Sequence, residues 1–329
     1  MTATTEVMRA DLRIGSADNP GIETAATLVA PADASGCDTV ICAFPGGGYN
    51  RHYFDLRHPS LGGATQAEWH ARRGVIFIAF DPYGGGDSTA LDASQCTLAL
   101  TVRAVHEACL AAIEGLRAGT LVQDLEPIAP SRVIGIGHSL GGMQLIAQQG
   151  QCATFDAVAM LGFSAIHCVT PTPSGFVSPH SSSDSDAESL EEAWSGPLVD
   201  EIANLRFAYH WENVAPDLVN EDMSAGFPVR RASPLPFWIT RTFPPFAKIC
   251  MQEGIIAEDA GHIDVPVLVA LGQRDVARDL RQEALAFPKS VDITLFEVLQ
   301  CAHMHNFSPA REVLWRRLQS WVDGLSKTR

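Results

Sequence analysis

The 329-residue chain carries 38 acidic against 23 basic side chains, a net charge of −15 that excludes nucleic acid and anionic membrane surfaces as partners. Hydrophobic residues make up 46% and charged residues 19%, which excludes a disordered chain. The eight cysteines form no Cys-x-x-Cys pair, residues 1–6 lack the basic start and apolar core of a signal peptide, and no apolar run reaches membrane-spanning length, so free thiols in a reducing cytoplasm are expected.

Residues 7–14 and 23–29 alternate apolar and polar side chains and predict two half-buried antiparallel strands at one edge of a sheet. Residues 39–44 are continuously apolar, the mark of a strand covered on both faces, and run into Pro45-Gly46-Gly47-Gly48-Tyr49-Asn50. Residues 64–73 have helical spacing. Residues 74–80 are a further buried strand, opening into 81–88, whose glycines shape a turn. No Gly-Lys-Ser/Thr follows, so nucleotide binding is disfavoured. From 97 to 116, Val102, Val105, Cys109, Ile113 and Leu116 recur at helical intervals.

Residues 133–142, Val-Ile-Gly-Ile-Gly-His-Ser-Leu-Gly-Gly, carry an apolar, β-branched run through Gly-x-Ser-x-Gly into a helical start at Met143. Strand, tight turn and helix in that order raise Ser139 above the sheet edge in a strained backbone with no room for bulk at Gly137 or Gly141. Residues 157–163 predict another strand. Such alternation implies a parallel sheet with helices on both faces.

The rhythm stops over 168–264, which holds a Ser/Asp-rich stretch at 181–189 and the aromatics Trp194, Phe207, Tyr209, Trp211, Phe227, Phe237, Trp238, Phe243 and Phe246. A structureless loop of that length does not suit a compact domain, so a helical insertion is expected. Alternation resumes with strands at 265–272 and 291–299, a helix near 280–287, and a closing helix whose Leu314, Leu318, Trp321 and Leu325 share one face. The chain therefore divides into a core of 1–167 and 265–329 with a cap at 168–264.

A serine nucleophile needs a base within hydrogen-bond reach and a third group to hold that base. The last strand leads into Gln300-Cys301-Ala302-His303-Met304-His305, and the strand before it into Gly272-Gln273-Arg274-Asp275. Both lie at carboxyl ends of parallel strands, where open α/β sheets place their sites. His303 is nearer the strand end and is the expected base. His305 is left as a supporting or packing residue. Asp275 is the expected acid, because Asp264 precedes its strand and Asp279 reads as a charge in a helix's first turn. No carboxylate follows the strand ending at Phe163.

The order Ser139, Asp275, His303, together with the elbow, resembles the α/β-hydrolase superfamily over nearly the whole chain outside the insertion. The resemblance implies a cofactor-free, metal-free serine hydrolase. It departs from the family at Ala302, where a Gly often precedes the histidine. An oxyanion needs two backbone N–H donors. Leu140, after the nucleophile, supplies one. Residues 45–48 look like the His-Gly-Gly-Gly loop of lipases and esterases with Pro45 in place of histidine, which implies Gly47 or Gly48 as the other. An aromatic-rich cap suits a small apolar ester or lactone, and the whole chain is similar to bacterial hydrolases that open the fungal macrolactone zearalenone. Acyl transfer, C–C bond hydrolysis, a non-catalytic binding protein and a homodimer stay open. A metal-dependent lactonase, prompted by His303-x-His305, lacks the following Asp-His pair of a dinuclear site.

Overall fold

The computed structural model describes residues 6–17, 20–177, 198–224, 226, 233–241 and 243–325. The strands are β1 (Val7–Gly15), β2 (Glu23–Pro31), β3 (Thr39–Phe44), β4 (Val75–Phe80), β5 (Arg132–His138), β6 (Ala157–Leu161), the short hairpin β7 (Thr170–Thr172) and β8 (Gly175–Val177), then β9 (Val267–Arg274) and β10 (Ile293–Ala302). Eight of them form one sheet in the order β1-β2-β4-β3-β5-β6-β9-β10, parallel from β4 onward and antiparallel at the β1 end.

Period-two alternation divides each central strand between two cores. Val40, Cys42 and Phe44 of β3 join the face covered by α2 (Leu98–Ala118) and α3 (Leu140–Cys152). Ile41 and Ala43 join the face covered by α1 (Gln66–Ala71) and the closing helix at Arg311–Gly324. Helix starts follow capping chemistry. Thr65 and Glu68 make a reciprocal capping box on α1, Thr97 caps α2, and Gly119 ends α2 at φ 67°. On the closing helix Leu314, Trp315, Leu318 and Val322 are each about 1% exposed or less, each contributing about 2 kcal/mol of apolar burial.

One expectation changes at β2. The strand is not half-buried but interior, hydrogen-bonded by β1 and β4 and covered on both faces from Thr24 to Pro31. Among its small polar side chains, the Thr27 hydroxyl donates to Asp11 at 2.8 Å and accepts from Arg51 Nε at 2.9 Å.

Between β6 and β9 the chain leaves the sheet. The segment opens with the β7–β8 hairpin, not a helix, and continues through α4 (Leu198–Tyr209), α5 (Pro216–Ser224), a 3₁₀ turn at Pro245–Ile249 and α6 (Ala257–His262). The 181–189 stretch, Trp194 and Phe227 lie outside the described residues. The helix expected near 280 is a 3₁₀ turn, Leu280–Ala286, capped by Asp279, and Val291 is 97% exposed ahead of β10. Among the described residues no helix is long and apolar enough to cross a membrane.

His70 on α1 has no exposed surface. Its Nδ1 meets Gln319 Oε1 at 2.8 Å and its Nε2 has no partner among the described residues. Burial pushes its pKa down to about 4 against the pull of the Gln319 hydrogen bond. The unfolded chain then binds the extra proton between about pH 6.5 and 4, so stability is complete above that window and falls as pH drops through it. Urea unfolding is expected to show about 3 kcal/mol of this loss disappearing in His70→Gln. Identical pH dependence in wild type and variant would refute the assignment.

Candidate active site

Ser139 stands between β5 and α3 at φ 52° and ψ −121°, a conformation that costs a non-glycine residue about 1–3 kcal/mol. Its neighbours make the turn obligatory. A Cβ at Gly137 would collide with the Gly141 carbonyl, and one at Gly141 with the Phe44 carbonyl, so strand β3, the elbow and α3 approach at backbone distance. Ser139 N–H donates to Leu161 O at 2.8 Å, tying the elbow to the end of β6.

The structure brings Ser139, His303 and Asp275 into one hydrogen-bonded line, although they are widely separated along the chain. Ser139 Oγ lies 2.9 Å from His303 Nε2, and His303 Nδ1 lies 2.7 Å from Asp275 Oδ1. All three sit just beyond strand ends: Ser139 after β5, Asp275 after β9, His303 after β10. Ala302 needs no unusual backbone. The irregularity is taken two residues earlier, where the β9–β10 register shifts between Val298 and Ala302 and Gln300 adopts φ 53°. That bulge re-aims the strand end, and Gln300 N–H donates to Gln273 Oε1 at 2.9 Å to hold it.

Asp275 is 3% exposed and accepts four hydrogen bonds. Oδ1 takes His303 Nδ1–H and the Val276 amide at 2.8 Å, and Oδ2 takes the Gly272 amide at 2.8 Å and His305 Nε2–H at 2.8 Å. Burial opposes its ionisation, but the charges and hydrogen bonds of the two imidazoles outweigh it and hold the carboxyl well below the usual range. The competing acids lie elsewhere: Asp279 caps its 3₁₀ turn, and Asp264 precedes β9. The place after β6 is not empty in space. Glu283 reaches it from the turn after β9, accepting from Ser164 Oγ at 2.6 Å and the Ala165 amide at 2.9 Å.

Of two further buried histidines, the sequence leaves His305 open as a supporting or packing residue and does not single out His138. His305 is 1% exposed, and its signal was only its spacing two residues from His303. His138, the variable residue before Ser139, donates Nε2–H to His303 O at 2.9 Å and stacks on Tyr53 at 4.5 Å. Its burial, then the neighbouring imidazoles 303 and 305, push its pKa well below the ordinary histidine value, so it stays neutral. Asn306 locks the turn, donating to Tyr53 O at 3.0 Å and accepting from Trp315 Nε1 at 2.9 Å.

Residues 45–50 form a turn in which Tyr49 N–H donates to Gly46 O and Gly48 takes φ 78°. The amides of Gly47, Gly48 and Leu140 donate to no group among the described residues. A narrow cavity is lined by Gly46, Gly47, Gly48, Leu140, Gln144 and Phe246. Phe243 packs on Gly47 so closely that a Cβ there would lie 2.7 Å from its ring. From α4, the carbonyls of Ala208 and Tyr209 accept from the amides of His303 and Met304 at 3.1 and 2.9 Å, and the Tyr209 ring lies 5.2 Å from that of His303. The other described aromatics serve elsewhere. Phe207 and Trp211 flank the Arg274 guanidinium, Trp238 is buried against Phe307, and Phe237 is 47% exposed. Among the described residues no group of three His, Cys, Asp or Glu side chains is arranged to hold a metal ion.

No curated protein matches the sequence. Among solved structures, the chain is similar to an esterase from Exiguobacterium antarcticum, with TM-score 0.65 at 14% identity, covering 96% of this chain and 100% of that one. It is similar to the 2-hydroxy-6-oxo-6-phenylhexa-2,4-dienoate hydrolase of a Rhodococcus strain, with TM-score 0.62 at 16% identity over 97% and 100% of the two chains. An esterase from Thermogutta terrifontis aligns with TM-score 0.59 at 14% identity over 95% and 98%. At these identities the likeness is one of fold. The family model of the alpha/beta hydrolases matches residues 40–314, from β3 through the elbow at Ser139 to the closing helix, and the chain belongs to the alpha/beta hydrolase family.

Proposed function

We propose that this hydrolase is a serine hydrolase of carboxylic esters or lactones, with Ser139 as nucleophile, His303 as general base and acid, and Asp275 as the group that orients the imidazole. The single observation that carries the reading is the 2.9 and 2.7 Å hydrogen-bonded line from Ser139 Oγ through His303 to Asp275. Ser139 Oγ attacks the carbonyl carbon while its proton passes to His303 Nε2. The carbonyl C–O bond to the leaving alcohol breaks, and the alcohol takes that proton. Water then attacks the acyl carbon, its proton passing to His303 and on to Ser139 Oγ as the acid departs. The amides of Leu140 and Gly47 are assigned to the oxyanion, with Gly48 as the alternative donor.

Within this class we assign a small apolar substrate carrying an aromatic group, supported by Phe243 against Gly47 and Tyr209 beside His303. Residues 168–264 act in this reading as a cap, and the macrolactone zearalenone is the named candidate. The free state of all eight cysteines supports action in the cytoplasm. The test is a hydrolysis panel of aryl esters, small lactones and zearalenone, with an alcohol supplied as competing acceptor. Hydrolysis of at least one ester or lactone is expected. Turnover of simple esters without zearalenone would discard the macrolactone, and ester product from the alcohol would make the enzyme a transferase.

A further inference from the structure

We propose that His305 is a positioning residue that grips the second oxygen of Asp275 and, through it, sets the orientation of His303; the inference rests on the serine-hydrolase reading. Asp275 has two oxygens and four lone-pair directions, and each is filled. Two of the four donors are backbone amides, from Gly272 and Val276, which the end of β9 supplies without any side chain. The other two are imidazoles on one short turn, His303 on Oδ1 and His305 on Oδ2. The carboxylate is therefore clamped in its own plane between two rings. Without the second ring, Oδ2 keeps only the Gly272 amide, and the carboxylate can rotate about its Cβ–Cγ bond, taking Oδ1 away from His303 Nδ1.

The geometry separates this role from packing. Because Oδ2 only accepts, His305 must carry its proton on Nε2, while its Nδ1 is buried without a partner among the described residues. A ring kept for its volume alone would not place its one satisfied nitrogen 2.8 Å from the acid. The turn that carries His305 is held independently, by Asn306 on Tyr53, Gln66 and Trp315 and by the α4 carbonyls on residues 303 and 304. Losing the imidazole therefore leaves the backbone of the turn in place. The titratable groups that contact His305 are Asp275, His138 and His303.

The experiment compares His305→Gln, His305→Asn and His305→Leu. Glutamine places an amide N–H at the reach of Nε2, whereas the shorter asparagine and the apolar leucine do not. On p-nitrophenyl acetate, Asn and Leu are expected to lower kcat roughly 10- to 100-fold with KM little changed, the scale of a slightly misplaced reactive group. Gln should stay within about threefold of wild type. Wild-type kcat in the Asn variant, or equal losses in Asn and Gln, would overturn the proposal. If leucine fails to fold, the Asn and Gln pair decides. Fluorophosphonate labelling of the wild type at Ser139 separates the two levels: no labelling sinks the serine-hydrolase reading, whereas labelling with unaffected His305 variants sinks only this inference.

Discussion

Ser139→Ala is expected to lower kcat/KM by roughly 10⁴- to 10⁶-fold on any ester the wild type accepts, and to abolish labelling by a fluorophosphonate. The size follows from what the variant retains. Alanine keeps the Cβ, and the elbow is held by contacts that do not involve the hydroxyl: the Ser139 amide on Leu161 O, the Gly142 amide on Ser139 O at 2.7 Å, and backbone packing at Gly137 and Gly141. The amides of Leu140 and Gly47 also remain, so a residual acceleration over water is expected, as where triads have been dismantled. Far-ultraviolet circular dichroism and the urea midpoint should match the wild type within about 1 kcal/mol, which separates lost chemistry from lost fold. Retention of activity within tenfold, in a protein free of wild-type contamination, would remove Ser139 from the reaction.

Asp275→Asn is expected to cost roughly 10⁴-fold in kcat at neutral pH, with a measurable loss of stability. Four donors converge on the carboxylate, and asparagine offers one acceptor oxygen and one NH₂ donor. In either orientation the NH₂ faces two N–H groups. If it faces the side of His303, the imidazole must present a bare Nδ1 and move its proton to Nε2, the nitrogen that Ser139 needs as acceptor. If it faces Oδ2's partners, His305 and the Gly272 amide lose theirs. The stability effect has a definite pH sign. Asp275 is held below the ordinary carboxylate range, so its contribution is present above about pH 4 and is lost as pH falls further. The variant should be less stable than wild type at pH 7, and the difference should narrow below pH 4. Unfolding curves at pH 7 and pH 3 test this, and a gap unchanged with pH would contradict the ionised, clamped carboxylate.

The elbow was legible because its constraint is local. A strand, Gly-x-Ser-x-Gly and a helix are adjacent in the chain, and Gly137 is required by backbone contact with Gly141 within the same turn, whereas the contact of Gly141 with Phe44 comes from the neighbouring strand β3. The strand ends that carry Asp275 and His303 were legible for a similar reason, since β-branched runs mark buried parallel strands whose carboxyl ends must lie together. The burial of β2 was not legible. Its alternation of Ala and Thr is compatible with either one or two covered faces, and only pairing with both β1 and β4 decides.

The amino-acid order alone determined the α/β architecture, the position of Ser139 and the sequence of candidate groups along the chain, because each depends on neighbours within a few residues. Tertiary structure alone decided that His305 turns inward onto Asp275, that Glu283 occupies the end of β6, and that Phe243 rests on Gly47. Those contacts join residues 30, 119 and 196 positions apart along the chain, for 275–305, 164–283 and 47–243. No local preference encodes such meetings: they exist only when the sheet has brought separate strand ends side by side and the inserted segment has closed over them.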